Sequence, residues 1–109
     1  MADKHTYKEY KFPNGETIKC TVAFRFLAML RDKNKKIYER LNNGMMNGVA
    51  NDVVEAVYML YGAYLCACYA GENGGTENIM KESDFIDALE DDVIDVLTVC
   101  AELTNKKKN

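Results

Sequence analysis

The sequence contains one histidine, one proline and no tryptophan among its 109 residues. His5 lies in a charged N-terminal stretch, so the commonest general base of enzymes and the commonest nitrogen ligand of zinc are nearly missing. There is also no glycine-rich phosphate loop, no dinucleotide-binding motif, and no serine, cysteine or lysine with a recognisable activating partner. The sequence therefore predicts a protein that is not an enzyme and that binds no cofactor and no metal.

Long apolar runs and an excess of positive charge are missing as well. The longest uncharged stretch, residues 56–71, is shorter than the ~20 apolar residues that cross a bilayer. The net charge of −3 disfavours nucleic acid as a partner. Because no apolar stretch follows the charged residues 1–5, we expect no secretory signal. These features predict a cytoplasmic protein with no membrane span, whose four cysteines remain reduced.

The composition, 48% hydrophobic and 28% charged, is that of one soluble domain. A chain of this length buries roughly two-thirds of its unfolded surface, which suffices for a single core. We expect a flexible N-terminus at residues 1–5, a single domain at 6–104, and a flexible basic tail at 105–109.

Residues 6–22 predict a β-hairpin, because two runs of β-forming residues flank a Pro-Asn-Gly turn. A type I turn followed by Gly15 in a left-handed conformation pairs Tyr10 with Ile18. This register collects the apolar side chains on one face, which must pack on the helices that follow. The residues on that face are Tyr10, Phe12, Ile18, Cys20 and Val22.

The rest of the chain predicts helices at about residues 22–41, 53–70, 84–89 and 92–104. The apolar stripe of the first stays in phase across the charged residues 31–36, which favours one helix over two. Residues 44–51 predict a mobile loop. Since the second helix is apolar on nearly every side, it should form the centre of the fold. The expected fold class is mainly α, with an N-terminal β-hairpin followed by a compact bundle of about four helices.

Two patterns that could indicate ligand sites have simpler interpretations. Cys66 and Cys68 would point about 200° apart on a helix and cannot share an ion or form an unstrained disulfide. The acids between residues 82 and 95 lack the spacing of a calcium-binding loop, so a solvated face with helix capping explains them better than a cation or a basic partner.

Charge is distributed unevenly along the chain. Residues 1–41 contain ten basic and five acidic side chains, and residues 81–102 contain one basic and eight acidic side chains. One end of the chain could therefore attract the other end of a neighbouring copy. The sequence leaves a homo-oligomer open on this ground.

Four apolar residues stand out as candidates for contact with another protein. Phe24 and Met29 lie off the inward stripe of the first helix, and Met45 and Met46 lie in the predicted loop. Methionine suits such a surface because its flexible side chain repacks against different partners. The alternative interpretation is cover over the hairpin or scattered surface exposure.

The order of these elements resembles the small tail assembly chaperones of siphophages and related prophages that infect Gram-positive bacteria. The resemblance covers about residues 7–104 and contains no catalytic motif. It rests on the hairpin sequence at residues 10–15, the apolar segments at 22–30 and 56–58, the segment at 82–86, and the acidic final helix.

This resemblance implies a protein that coats the long tape-measure protein and helps to recruit tail-tube subunits, and that is absent from the finished virion. It implies two partners, the tape-measure protein and the tail-tube protein, and no catalytic residues. The alternative is a small phage-encoded regulatory or inhibitory adaptor that binds a host or phage protein through the same apolar residues.

Overall fold

The computed structural model describes residues 7–49 and 52–105. It is mainly helical with an N-terminal hairpin, as predicted, but it contains five α-helices rather than four. The elements are β1 (Lys8–Lys11), β2 (Thr17–Cys20), α1 (Phe24–Lys33), α2 (Lys35–Asn47), α3 (Val53–Tyr69), a 3₁₀ turn (Gly75–Asn78), α4 (Glu82–Leu89) and α5 (Val93–Asn105).

The termini that the sequence predicts to be flexible fall largely outside the described residues. Residues 1–5 and 106–109 lie outside the part of the chain that the structure describes. Asn105 was assigned to the tail but is the last residue of α5.

The predicted register of the hairpin is confirmed. Tyr10 pairs with Ile18 across the antiparallel strands. At the turn, Gly15 has a φ of +99° and its N–H donates to the carbonyl oxygen of Phe12 at 2.9 Å. Only glycine adopts this backbone conformation without steric cost, so Gly15 fixes the register. The side chains predicted to share the inner face, Tyr10, Phe12, Ile18, Cys20 and Val22, are all buried.

The prediction of one helix at residues 22–41 is wrong, because the helix breaks at Asn34. Asn34 has φ −153° and ψ 74°, and its side-chain oxygen accepts a hydrogen bond from the backbone N–H of Ile37 at 3.2 Å. Asparagine competes with the helix for backbone hydrogen bonds and therefore caps a new helix instead of continuing the old one. The two helices keep their apolar stripes in phase because both pack on α3.

The predicted loop at residues 44–51 is also wrong over its first half, where α2 continues to Asn47. Gly44 is buried inside the helix, and a Cβ atom there would lie 3.0 Å from Cγ1 of Val49 and 3.3 Å from Sδ of Met59. Gly44 thus permits close packing and does not end the helix. The helix ends at Gly48, whose φ is +81°.

α3 is the centre of the fold, as predicted, and is buried at Ala56 and from Met59 to Cys68. Its N-cap is Asp52, whose side chain accepts from the N–H of Glu55 at 3.1 Å. α1, α2, α5 and β2 all pack on α3.

The C-terminal third is attached to α3 by aromatic rings. Phe85 of α4 lies between Tyr61 and Tyr64, with ring centroids 5.0 and 5.3 Å away. The phenol of Tyr61 donates to the carbonyl oxygen of Met80 at 2.9 Å, and that of Tyr64 accepts from the N–H of Met80 at 2.8 Å. These bonds satisfy buried phenols and hold the segment before α4 against the core.

Candidate protein-binding groove

An open groove of about 350 Å³ runs between α1 and α2. It exists because the break at Asn34 lets the chain reverse and lay the second helix beside the first. We call it the α1–α2 groove. Its lining residues are Phe24, Leu27, Ala28 and Arg31 of α1 and Tyr38, Asn42, Met45 and Met46 of α2.

The lining of the groove follows helical periodicity on both sides. On α1 the lining positions are spaced i, i+3, i+4 and i+7, and on α2 they are spaced i, i+4, i+7 and i+8. Each helix therefore contributes one continuous, mostly apolar face. Two of the groove's large apolar side chains are exposed, Phe24 at 76% of its full accessible surface and Met46 at 75%.

The groove brings together three of the four contact residues that the sequence predicted. Phe24, Met45 and Met46 all line it. Met29 does not line the groove; it is half-buried and packs against the core. The contact role of each residue stays a prediction.

Sequence reasoning did not assign Leu27 and Tyr38 to the groove. Both belong to the inward apolar stripe, and both are half-buried at its edge. A helix needs only part of such a wide stripe to reach the core. Because the apolar stripe is wider than its contact with the core, the residues at its edge can line a groove on the surface.

The two helices that form the groove are rich in basic side chains. The segment from α1 to α2 carries six basic and two acidic side chains, and Arg31 lies in the groove lining itself. Arg40 is engaged elsewhere, since its guanidinium donates to the carboxylate of Glu55 at 2.6 Å and lies 3.7 Å from the ring centroid of Tyr58. The remaining basic residues, Arg25, Arg31, Lys33, Lys35 and Lys36, are exposed.

The cysteines lie in the core and not at the groove. All four are free and buried. Burial raises the pKa of Cys66 and that of Cys100 to about 12 each, so both thiols are protonated and weakly nucleophilic at neutral pH. Within residues 7–49 and 52–104, no three His, Cys, Asp or Glu side chains converge to hold a metal ion.

In the part of the chain that the structure describes, no helix has both the length and the apolar character that crossing a membrane requires.

Comparison with known proteins gives no relative on which to base a function. No protein-family model, no curated protein and no solved structure matches this chain.

Proposed function

We propose that this protein is a phage tail assembly chaperone that binds a helical segment of the tape-measure protein in the α1–α2 groove and thereby assists assembly of the tail tube. The observation that supports the proposal is the groove itself, which is exposed, apolar and lined at helical spacing by both of its walls. The resemblance of the element order to that of tail assembly chaperones is the reason for proposing the tape-measure protein as the client.

The shape of the groove favours a helix as its occupant. An amphipathic helix places its apolar face in a groove between two helices and makes contact through residues at i, i+3, i+4 and i+7. Met45 and Met46 suit a long client with many slightly different segments, because methionine adapts to differently shaped side chains. One groove could then bind successive stretches of the same tape-measure chain.

The charge of the helices that form the groove indicates which client segments should bind best. The exposed basic side chains of α1 and α2 favour a segment whose polar face is acidic. Exposed charges are screened at high salt, where the Debye length falls from about 10 Å at 0.1 M to about 3 Å at 1 M. We therefore expect client binding to weaken as salt is added.

The test is binding of purified protein to fragments of a tape-measure protein. Replacing Met46 by Ser should weaken binding about ten- to a hundredfold, since burying a methionine contributes about 1.5–3 kcal/mol and about 1.4 kcal/mol is a factor of ten. Ile94→Ser is the matched control, because Ile94 is exposed to the same degree, 77% against 75%, and lies outside the groove. Titration calorimetry measures both affinities.

Two results would contradict the proposal. One is a wild-type protein that binds no tape-measure fragment. The other is a Met46→Ser variant that binds as tightly as the wild type. Thermal unfolding of both variants should stay close to that of the wild type, because neither side chain is in the core.

A further inference from the structure

The large apolar side chains that are exposed in the described part of the chain fall into two sets. One set, Phe24 and Met46, belongs to the α1–α2 groove. The other lies at the N-termini of α3 and α5, and we call it the valine–isoleucine patch. Its members are Val53, Val54, Val93 and Ile94, and they are 41, 57, 41 and 77% exposed.

The valine–isoleucine patch is one surface because the starts of α3 and α5 lie side by side. Val53 and Val93 line the same shallow depression of about 120 Å³, together with Val57 and Val96 of the same two helices. Val54 and Ile94 are the next residues on the two helices and are more exposed than Val53 and Val93. All four side chains are β-branched and therefore stiff. Isolated apolar residues on a surface are ordinary, but a contiguous group of them indicates a contact.

The charge around the patch is opposite to that around the groove. Glu90 and Asp91 line the same depression, and Asp95 lies one residue beyond Ile94; all three are exposed. Asp92 is half-buried and accepts a hydrogen bond from the phenol of Tyr10. Residues 82–105 contain no basic side chain. Lys11 of the hairpin lines a neighbouring depression together with these four acids, so the acids outnumber the nearby lysine.

We propose that the valine–isoleucine patch of one copy occupies the α1–α2 groove of a second copy and competes there with the client. The second copy is the occupant because the chain itself carries both halves of the contact: an apolar groove with basic surroundings and an apolar patch with acidic surroundings. The competition with the client depends on the proposed function, but the association of two copies does not.

This contact is heterologous, since the two copies use different surfaces. In the absence of client, it covers the exposed Phe24 and Met46 side chains and so protects them from non-specific association. A client helix with an acidic polar face binds the same groove by the same chemistry, and displaces the second copy when it binds more tightly.

Sedimentation velocity over a range of protein concentrations tests the inference with two single variants, Met46→Ser in the groove and Ile94→Ser in the patch. We expect the wild type to associate and to dissociate as salt is added. Each variant alone should be monomeric at concentrations where the wild type associates, because each lacks one half of the contact.

An equimolar mixture of the two variants gives the sharpest result. The Ile94→Ser copy keeps an intact groove and the Met46→Ser copy keeps an intact patch, so the mixture should regain association, limited to pairs of unlike copies. A mixture that stays monomeric would overturn the inference. So would an Ile94→Ser variant that associates as the wild type does, or a wild type that is monomeric at every concentration tested.

Failure of this inference can be told apart from failure of the proposed function. If the wild type is monomeric but Met46→Ser weakens binding to tape-measure fragments, only the self-association is wrong. If the mixed variants associate but no fragment binds, only the client is wrong. If the self-association and the client are both right, adding a binding fragment should convert the associated wild type into complexes that each contain one copy of this protein. The Ile94→Ser variant should bind that fragment no more weakly than the wild type does.

Discussion

Asn73 shows how a single side chain can connect two distant parts of this fold. Its side-chain oxygen accepts from the backbone N–H of Lys19 at 2.8 Å, and its side-chain nitrogen donates to the carbonyl oxygen of Lys19 at 2.9 Å. The amide thus bonds to β2 as a neighbouring strand would. The ion pair between Lys19 and Glu72, at 3.3 Å, is partly exposed and adds little.

Replacing Asn73 should reveal two separate contributions to stability. Asn73→Ala loses two hydrogen bonds, each contributing about 1 kcal/mol. It also forces alanine into the left-handed conformation that Asn73 adopts at φ +57°, which costs about 1 kcal/mol more. Asn73→Gly loses the hydrogen bonds but tolerates the backbone. Urea unfolding should rank the wild type above Gly and Gly above Ala; an alanine variant as stable as the wild type would contradict this role.

Tyr61 and Tyr64 should make the protein sensitive to alkaline conditions. Burial raises the pKa of each from its ordinary value of 10.0 to about 12. Between these values the unfolded chain has lost protons that the folded chain retains, so the free energy of unfolding falls as the pH rises. The contribution is fully present below pH 10 and is lost as the pH rises through 12.

Urea unfolding at a series of pH values checks this expectation. Tyr61→Phe removes one of the groups whose pKa is higher in the folded chain, so its stability should fall less steeply than that of the wild type between pH 10 and 12. At neutral pH this variant should be about 1 kcal/mol less stable, because the hydrogen bond to the carbonyl oxygen of Met80 is lost. Parallel pH profiles for the two proteins would contradict the assignment.

At the scale of elements, the contact between α2 and α3 depends on a glycine. A Cβ atom at Gly62 would lie 3.1 Å from Cβ of Leu41 and 3.2 Å from its Cδ1. Alanine is the better helix former by about 1 kcal/mol, but here the two helices would have to move apart, at a cost of about 1–3 kcal/mol.

Gly62→Ala should therefore lower the free energy of unfolding, although the same change in an exposed helix would raise it. Thermal or urea unfolding measures the effect. A Gly62→Ala protein more stable than the wild type would show that α2 and α3 do not approach this closely.

Local sequence was sufficient to predict elements whose pattern is set by their own residues. The hairpin register followed from the alternation of apolar side chains and from a turn that needs a left-handed residue at Gly15. α3 followed from a long segment that is apolar on nearly every side.

The errors at Asn34 and Gly44 both concern residues whose effect depends on distant neighbours. Asparagine can occupy the middle of a helix or cap a new one, and packing on α3 decides between them. A glycine near a helix end reads as a stop, yet Gly44 lies within the helix because Met59 approaches it closely. Neither tertiary contact is visible in the local pattern.

At the scale of the whole molecule, the groove could be predicted only in part. Phe24 and Met46 stood out because they lie off the inward stripe or in an unusual pair of methionines. The groove itself depends on the reversal at Asn34, and a single helix from 22 to 41 would have placed Phe24 and Met46 far apart. The break at Asn34 places three of the four predicted contact residues, Phe24, Met45 and Met46, on one surface.

The most direct test of the central claim, that the molecule acts by binding a helix in the α1–α2 groove, is to map amide chemical-shift changes on adding a tape-measure fragment. Binding in the groove should cause the largest changes in residues 24–31 and 38–46. Changes confined to α4 and α5, or no changes at saturating fragment, would contradict it.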